Sequence, residues 1–142
     1  MKNLLLNPRS TFPETSYFIL RFFTGIFMCY YHGWKKLFAG GELWSKVGST
    51  ISDWIGIESL SYPLGFMAAF SESVAAVFLA VGLITRPSAF LLSFTMLVAT
   101  IKKTSESGID SSELSLLFLL IGIVILMRGP GKYSLDRMLF KK

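Results

Sequence analysis

The sequence predicts an all-α integral membrane protein, in which four helices form an antiparallel bundle and a short interfacial amphipathic helix lies between the first two. Of its 142 residues, 52% are hydrophobic and only 16% are charged, and the mean hydropathy is +0.55. A soluble domain is usually less apolar and more highly charged. Long apolar stretches are separated only by short polar connections, so we expect residues 1–142 to form one membrane domain.

Four segments are long enough to cross a hydrocarbon core, which requires about 20 helical residues. We place these helices at residues 16–37, 64–84, 87–103 and 112–128. Pro87 suits the first turn of the third helix, because proline lacks the N–H that is unpaired there in any case. Only Thr85 and Arg86 separate the second and third helices, which predicts an antiparallel hairpin.

The connection between the first two helices has a helical pattern of its own. Its apolar residues recur at helical spacing, with polar residues on the other faces: Trp44, Val47, Ile51, Trp54 and Ile55. This pattern predicts an interfacial amphipathic helix whose tryptophans lie at the depth of the lipid headgroups.

The ends of the fourth helix also carry signals. Asp110 and Glu113 resemble a capping box at its start. Gly129-Pro130-Gly131 breaks the helix at its end, and Ser134 is expected to cap a short surface helix that follows.

The basic residues indicate a topology. With four crossings, one face carries both termini and eight basic residues: Lys2, Arg9, Arg86, Arg128, Lys132, Arg137, Lys141 and Lys142. The opposite face carries five: Lys35, Lys36, Lys46, Lys102 and Lys103. This imbalance favours a bacterial cytoplasmic membrane protein with both termini in the cytoplasm. No dense basic stripe with interleaved aromatics is present, so nucleic-acid binding is not expected.

Ionisable residues within the predicted spans are the candidate functional groups. They are Arg21, His32 and Glu72, with Lys35 and Lys36 near the boundary. Each charge at the centre of a membrane costs at least about 2.5–3.5 kcal/mol, so each needs a partner or a polar cavity. Arg21, His32 and the two lysines follow steps of three and four residues, which predicts one stripe along the first helix.

The second helix surrounds Glu72 with small residues, which allow helices to approach closely. They are Gly65, Ala68, Ala69, Ala75 and Ala76. At about 1.5 Å per residue, His32 and Glu72 lie at nearly the same depth. We therefore predict a cluster of His32, Lys35 and Glu72 just below the outer surface, with Glu113 possible at its rim. Arg21 lies closer to the inner face and could reach either toward Glu72 or out to the lipid phosphates.

Two other interpretations of these side chains remain open. The charges could simply satisfy one another and fix helix packing. Cys29, His32 and Glu72 could bind a metal, but two neighbouring soft ligands without a third are a weak signal, so no metal is expected. A single cysteine excludes both an internal disulfide and a Cys-x-x-Cys redox pair.

Taken together, these residues resemble the DoxX family of small bacterial membrane proteins. The resemblance lies in Arg21 with Gly25, His32-Gly33-x-x-Lys36, Glu72 amid small residues, Gly82-Leu83-x-Thr85-Arg86, and Gly129-Pro130-Gly131 before Ser134-Leu135-Asp136. It implies a four-helix membrane fold and an association with redox proteins, including the small subunit of a thiosulfate:quinone oxidoreductase. It also implies that Arg21, His32, Lys36 and Glu72 are the polar positions typical of the family.

Two functional hypotheses follow. In the first, the protein is a redox-associated subunit that binds a quinone-like molecule, with Glu72 and His32 exchanging protons and a partner protein supplying electrons. The sequence contains no evident cofactor-binding motif, and a quinone is the only cofactor that this hypothesis implies. In the second, it is a non-enzymatic membrane subunit or a lipid or small-molecule carrier, and the polar cluster is structural. Membrane lipids are expected partners, while enzymatic activity, the substrate and homo-oligomerisation are left open.

Overall fold

A computed structural model describes residues 12–140, which are almost entirely helical and contain no β-strand. The α-helices are α1 (Pro13–Met28), α2 (Trp34–Phe38), α3 (Gly41–Ile55), α4 (Ser61–Phe70), α5 (Ala76–Val81), α6 (Thr85–Ser107), α7 (Glu113–Arg128) and α8 (Leu135–Leu139). The predicted all-helical fold is thereby confirmed. Four basic residues used in the topology prediction lie outside the described residues: Lys2, Arg9, Lys141 and Lys142.

Two π-helical segments interrupt the longest helices without breaking them. Cys29–Gly33 joins α1 to α2, and Ser71–Ala75 joins α4 to α5. Short 3₁₀ turns precede α4 and α7, at Glu58–Leu60 and Ile109–Ser112. Such π turns are rare and are frequent at functional sites, and the second contains Glu72.

Each of the four predicted spans corresponds to an observed helical run, but the boundaries differ. The second run ends at Val81 rather than at residue 84, because Gly82 and Ile84 adopt left-handed conformations with φ of 75° and 47°. The third helix then begins at Thr85, so the predicted Thr85–Arg86 link is wrong. The connection instead occupies residues 82–84.

Two helical runs are apolar and long enough to cross a membrane, namely Glu58–Val81 and Ile109–Arg128. The runs 13–38 and 85–107 are long as well, but charged residues interrupt their apolar character. These are Glu14, Arg21, Lys35 and Lys36 in the first, and Arg86, Lys102, Lys103 and Glu106 in the second.

The packed interior lies between α1, α5, α6 and α7. Its buried apolar side chains are Tyr17, Met28, Ala76, Leu79, Ala89, Leu92, Met96 and Ile125. Most of the small residues around Glu72 are buried too, including Gly65, Ala69 and Ala75. The prediction that this side of the second span faces the protein interior is confirmed.

The predicted helix between the first two spans is present as α3, and glycines pack it against α4. A Cβ on Gly48 would lie 1.8 Å from the Ser61 carbonyl oxygen, and one on Gly65 would lie 1.6 Å from the Trp44 carbonyl oxygen. Trp54 remains exposed. The closest contact between α3 and α4 is therefore made by small residues, and not by the apolar side chains that recur at helical spacing along α3.

The capping predictions have opposite outcomes. Ser134 accepts a hydrogen bond from the Arg137 N–H at 3.3 Å and caps α8, as predicted. The capping box at Asp110 and Glu113 is wrong, because the chain there forms a 3₁₀ turn without a side-chain cap. Instead, Thr104 donates a hydrogen bond to the Ser112 hydroxyl at 2.9 Å, which ties α6 to the start of α7.

We expect Gly48→Ala to lower the free energy of unfolding by about 1–3 kcal/mol, because the added methyl group meets backbone that cannot rotate away. Equilibrium denaturation in detergent micelles measures this change. The control is Ser45→Ala, also on α3. An unchanged stability in Gly48→Ala would show that α3 does not pack on α4 in this way.

Candidate functional site

The centre of the candidate site is an ion pair between Lys36 and Glu72. The Lys36 ammonium donates to both carboxylate oxygens of Glu72, each at 2.7 Å. Glu72 is 2% exposed, whereas the Lys36 side chain keeps 31% of its surface. A lone carboxylate in this position would be strongly destabilising, so the lysine compensates the buried charge.

The two π-helical segments position this pair. They pack against each other at Gly33, where a Cβ would lie 2.0 Å from the backbone carbonyl oxygen of Glu72. Only glycine permits so close an approach of the two backbones. Lys36 follows one turn later in α2, from which its long side chain reaches the Glu72 carboxylate.

His32 borders a small cavity beside the ion pair. The cavity has a volume of about 70 Å³ and is lined by apolar and polar side chains in equal number: Met28, Met96, Ala99, Leu114 and Phe118, and His32, Lys36, Glu72, Lys103 and Ser115. The imidazole packs edge-on against Phe118, with ring centroids 6.4 Å apart. Neither of its nitrogens makes a hydrogen bond within residues 12–140. His32 therefore has donor and acceptor capacity available to a ligand.

A second and larger cavity lies on the other side of the ion pair, beneath α3. Its volume is about 250 Å³, and its lining includes Leu43, Val47, Ala68 and Val98 as well as four lysines. Four residues line both cavities: Lys36, Glu72, Ala99 and Lys103. The ion pair therefore forms the central part of the boundary between two adjacent spaces.

Arg21 does not join this cluster. It is fully buried, and it donates to the carbonyl oxygens of Leu79 at 2.5 Å, Ala80 at 2.9 Å and Tyr133 at 2.6 Å. The first two carbonyls lie in the last turn of α5, where carbonyls lack the usual partners of a continuing helix, although that of Leu79 also accepts a hydrogen bond from the Gly82 N–H at 3.2 Å. Arg21 thus joins α1, the end of α5 and the C-terminal segment, and the expectation that it reaches toward Glu72 is wrong.

Lys35 and Glu113 also lie away from the ion pair. Both are exposed, and neither lines either of these two cavities. Lys35 is adjacent to Lys36 in the sequence, and successive helical residues point in directions about 100° apart. Glu113 begins α7 and faces outward. Within residues 12–140, no group of three or more histidine, cysteine or acidic residues is placed to hold a metal ion.

A second polar cluster, not predicted from the sequence, surrounds Asp136. Its carboxylate accepts hydrogen bonds from the Ile84 N–H at 2.7 Å and from both the N–H and the hydroxyl of Thr85, at 2.8 and 2.7 Å. The Asp136 N–H in turn donates to the Gly82 carbonyl at 2.8 Å. Asp136 therefore caps α6 across more than 50 residues of sequence.

Electrostatics at Asp136 favour its charged form. Burial alone would raise the pKa of this carboxyl, but the hydrogen bonds from Thr85 and Ile84 and the nearby Arg21 charge outweigh burial and lower the pKa. The carboxylate thus stays ionised well into the acidic range. The paired sequence motifs Gly82-Leu83-x-Thr85 and Ser134-Leu135-Asp136 were the available signal for this contact.

These features define a small α-helical protein with membrane-length apolar helices and a partly buried charge pair between its first two helical runs. A sequence profile described as DoxX matches residues 16–103, which is more than half of the chain. The protein therefore belongs to the DoxX family and is a small membrane protein of that family. The matched segment includes Arg21, His32, Lys36 and Glu72. Comparison with curated proteins and with solved structures gives no match.

We expect Asp136→Asn to lower the free energy of unfolding at neutral pH by about 1–3 kcal/mol, because the N–H of Ile84 and the two donors of the buried Thr85 lose a charged acceptor. The pKa of Asp136 is lowered by folding. Its stabilising effect is therefore complete above the ordinary carboxyl pKa and is lost as the pH falls through the lower folded-state pKa.

Denaturation curves between about pH 7 and pH 2 test this expectation. The difference between the wild-type protein and Asp136→Asn should shrink toward the acidic end. Asp53→Asn, which changes an exposed carboxylate on α3, is the matched control. A stability difference that is independent of pH would contradict the role assigned to the Asp136 charge.

Proposed function

We infer that this protein is a four-span membrane subunit that binds a lipophilic, quinone-like molecule at the Lys36–Glu72 pair and takes part in a redox reaction with a partner protein. One observation carries the proposal: His32, with no hydrogen-bond partner for its ring nitrogens within residues 12–140, lines a cavity that has both apolar walls and the partly buried Lys36–Glu72 ion pair. Binding sites for small organic molecules typically combine apolar walls with a few such polar groups.

The proposed membrane arrangement rests on the outward faces of the helices. On α7, Leu117, Leu120 and Met127 keep 53%, 54% and 77% of their surface exposed. On α1, Phe23 and Phe27 are about half exposed. Apolar faces of this extent are unfavourable in water and favourable in lipid. They support spans along all four helical runs.

The lengths of the less apolar runs support the same arrangement. The 23 residues of α6 extend about 35 Å, which exceeds the roughly 30 Å of a hydrocarbon core. The run 13–38 is longer still. Arg21 satisfies its charge with backbone carbonyls, while Lys102 and Lys103 lie near one end of α6, from which long side chains reach the interface. The basic residues at the other end favour cytoplasmic termini in a bacterial inner membrane.

The chemistry of the cluster suits a molecule with carbonyl oxygens. The Lys36 ammonium and the His32 imidazole can donate hydrogen bonds to such oxygens, and Glu72 and His32 can exchange protons with them. Conversion of a quinone to a quinol takes up two electrons and two protons. Glu72 and His32 would donate and accept the protons, and the electrons would come from a redox partner protein.

A second candidate function has its own supporting observation. Lys36 engages both oxygens of Glu72, and Arg21 is held by backbone carbonyls, so most of these charges are already satisfied within the protein. The protein would then be a non-enzymatic membrane subunit or carrier whose ion pair fixes helix packing. The two candidates predict different contents of an organic extract.

We expect gently purified protein to retain a quinone in near-stoichiometric amount, and Glu72→Gln and His32→Ala each to reduce it by about tenfold or more. The physical reason is the loss of a hydrogen-bonding group worth about 1–3 kcal/mol in an apolar site. Mass spectrometry of the organic extract, normalised to protein, measures the content.

Glu113→Gln is the matched control, because it makes the same chemical change on an exposed carboxylate outside both cavities. Thermal unfolding of each variant identifies loss of folded protein. An extract of the wild-type protein without quinone, or full quinone content in both cluster variants, would reject the quinone site. Reduced thermal stability without any ligand would then favour the structural role of the pair.

A further inference from the structure

We propose that the 250 Å³ cavity beneath α3 is a separate site for a single-chain amphiphilic anion, of the kind that carries a carboxylate head on an apolar chain. The site is distinct from the cavity that contains His32. Its walls, its charge and its size each constrain the ligand.

The apolar part of the ligand is defined by the walls. Leu43 and Val47 of α3 face Ala68 of α4, and Val98 of α6 closes the same space. None of these side chains offers a hydrogen bond, so a polar molecule without an apolar portion would lose more hydration than the cavity restores. A hydrocarbon chain gains from leaving water there.

The charge of the head is defined by lysines at the edge of the cavity. Lys46, Lys102 and Lys103 line it from α3 and α6, in addition to Lys36 at the inner end. Within residues 12–140, Lys36 is neutralised by Glu72, and Lys102 has Glu106 at 4.0 Å. The Lys46 and Lys103 ammonium groups have no carboxylate within ion-pair distance in that part of the chain. The edge therefore carries excess positive charge.

The orientation of the ligand follows from these two features. The Glu72 carboxylate lies at the inner end and repels an anionic head, whereas Lys46 and Lys102 lie at the outer end. Thr50 offers a further polar contact there, since its hydroxyl already accepts a hydrogen bond from Lys102 at 2.9 Å. The head therefore binds at the lysine edge and the chain extends inward along Val47 and Val98.

The size of the cavity favours a single-chain amphiphile. Its volume is below the roughly 300–1,000 Å³ that is usual for sites of drug-sized ligands. A single medium-length chain fits such a volume, and the two chains of a phospholipid do not. A neutral molecule such as a quinone gains no electrostatic attraction from the lysines at the edge of the cavity. The ligand is therefore an amphiphile of the medium-chain carboxylate class.

The test uses the full-length protein in a nonionic maltoside detergent and titrates it with decanoate by calorimetry. The expected result is saturable binding that weakens as salt is added, with decanol binding at least about tenfold less tightly. The double variant Lys46→Gln/Lys102→Gln should lose about tenfold or more in decanoate affinity and little in decanol affinity. Phosphatidylglycerol in the same titration should not displace decanoate.

Three further variants separate this site from its alternatives. Lys35→Gln removes a neighbouring lysine that lines neither cavity and should bind as the wild-type protein does. His32→Ala alters only the other cavity and should also retain decanoate affinity. Val98→Phe fills the apolar space and should weaken both probes.

Equal affinities for decanoate and decanol, or an unchanged affinity in the double variant, would overturn the proposal. Displacement by phosphatidylglycerol would do so as well, because it would identify a lipid-headgroup site instead. Size-exclusion profiles and thermal transitions show whether each variant is folded. The quinone content of the protein does not enter any of these results, so this proposal and the quinone proposal fail independently.

Discussion

The architecture depends on one buried electrostatic constraint, the pairing of Glu72 with Lys36. A carboxylate that is almost completely removed from solvent among alanines and glycines requires a cation, and the cation comes from the neighbouring helical run. This requirement fixes how the first two runs lie against each other. Gly33 permits the approach, because its α-carbon meets the Glu72 backbone directly. The same pair lines both interior cavities, so the interaction that fixes the packing also borders the proposed ligand sites.

A second constraint acts at the opposite end of these helices. Arg21 joins the last carbonyls of α5 to the carbonyl of Tyr133, and Asp136 caps α6 from the same C-terminal segment. The profile of the family ends at residue 103, yet this later segment completes the polar bonding of the earlier one. Arg21, a candidate functional residue in the sequence, therefore holds this end of the fold together, as does Asp136. The groups that remain available for a ligand lie at the other end, around His32 and the lysines.

The helical class and the existence of α3 could be predicted from the sequence, because the spacing of apolar residues indicates a helix directly. The buried side of the second run could also be predicted, because small residues mark the face that packs closely. The sequence did not distinguish Lys36 from Lys35 and Arg21 as the partner of Glu72. A π-helical segment at Cys29–Gly33 lies between Arg21 and the two lysines, and it changes the angular register that a regular helix would have. The Asp136 cap was also missed, because its partners are more than 50 residues away in the sequence, and the two motifs that contain them do not by themselves show that they touch.

The most direct test of the central interaction is a double-mutant cycle on unfolding free energy, using Lys36→Met, Glu72→Gln and the combination of both. Side chains in direct contact typically show a coupling energy of about 0.5–3 kcal/mol. We expect the two single substitutions each to destabilise the protein and the double substitution to cost less than their sum by at least about 1 kcal/mol. Additivity within about 0.5 kcal/mol would contradict a buried Lys36–Glu72 pair as the interaction on which the fold and both cavities depend.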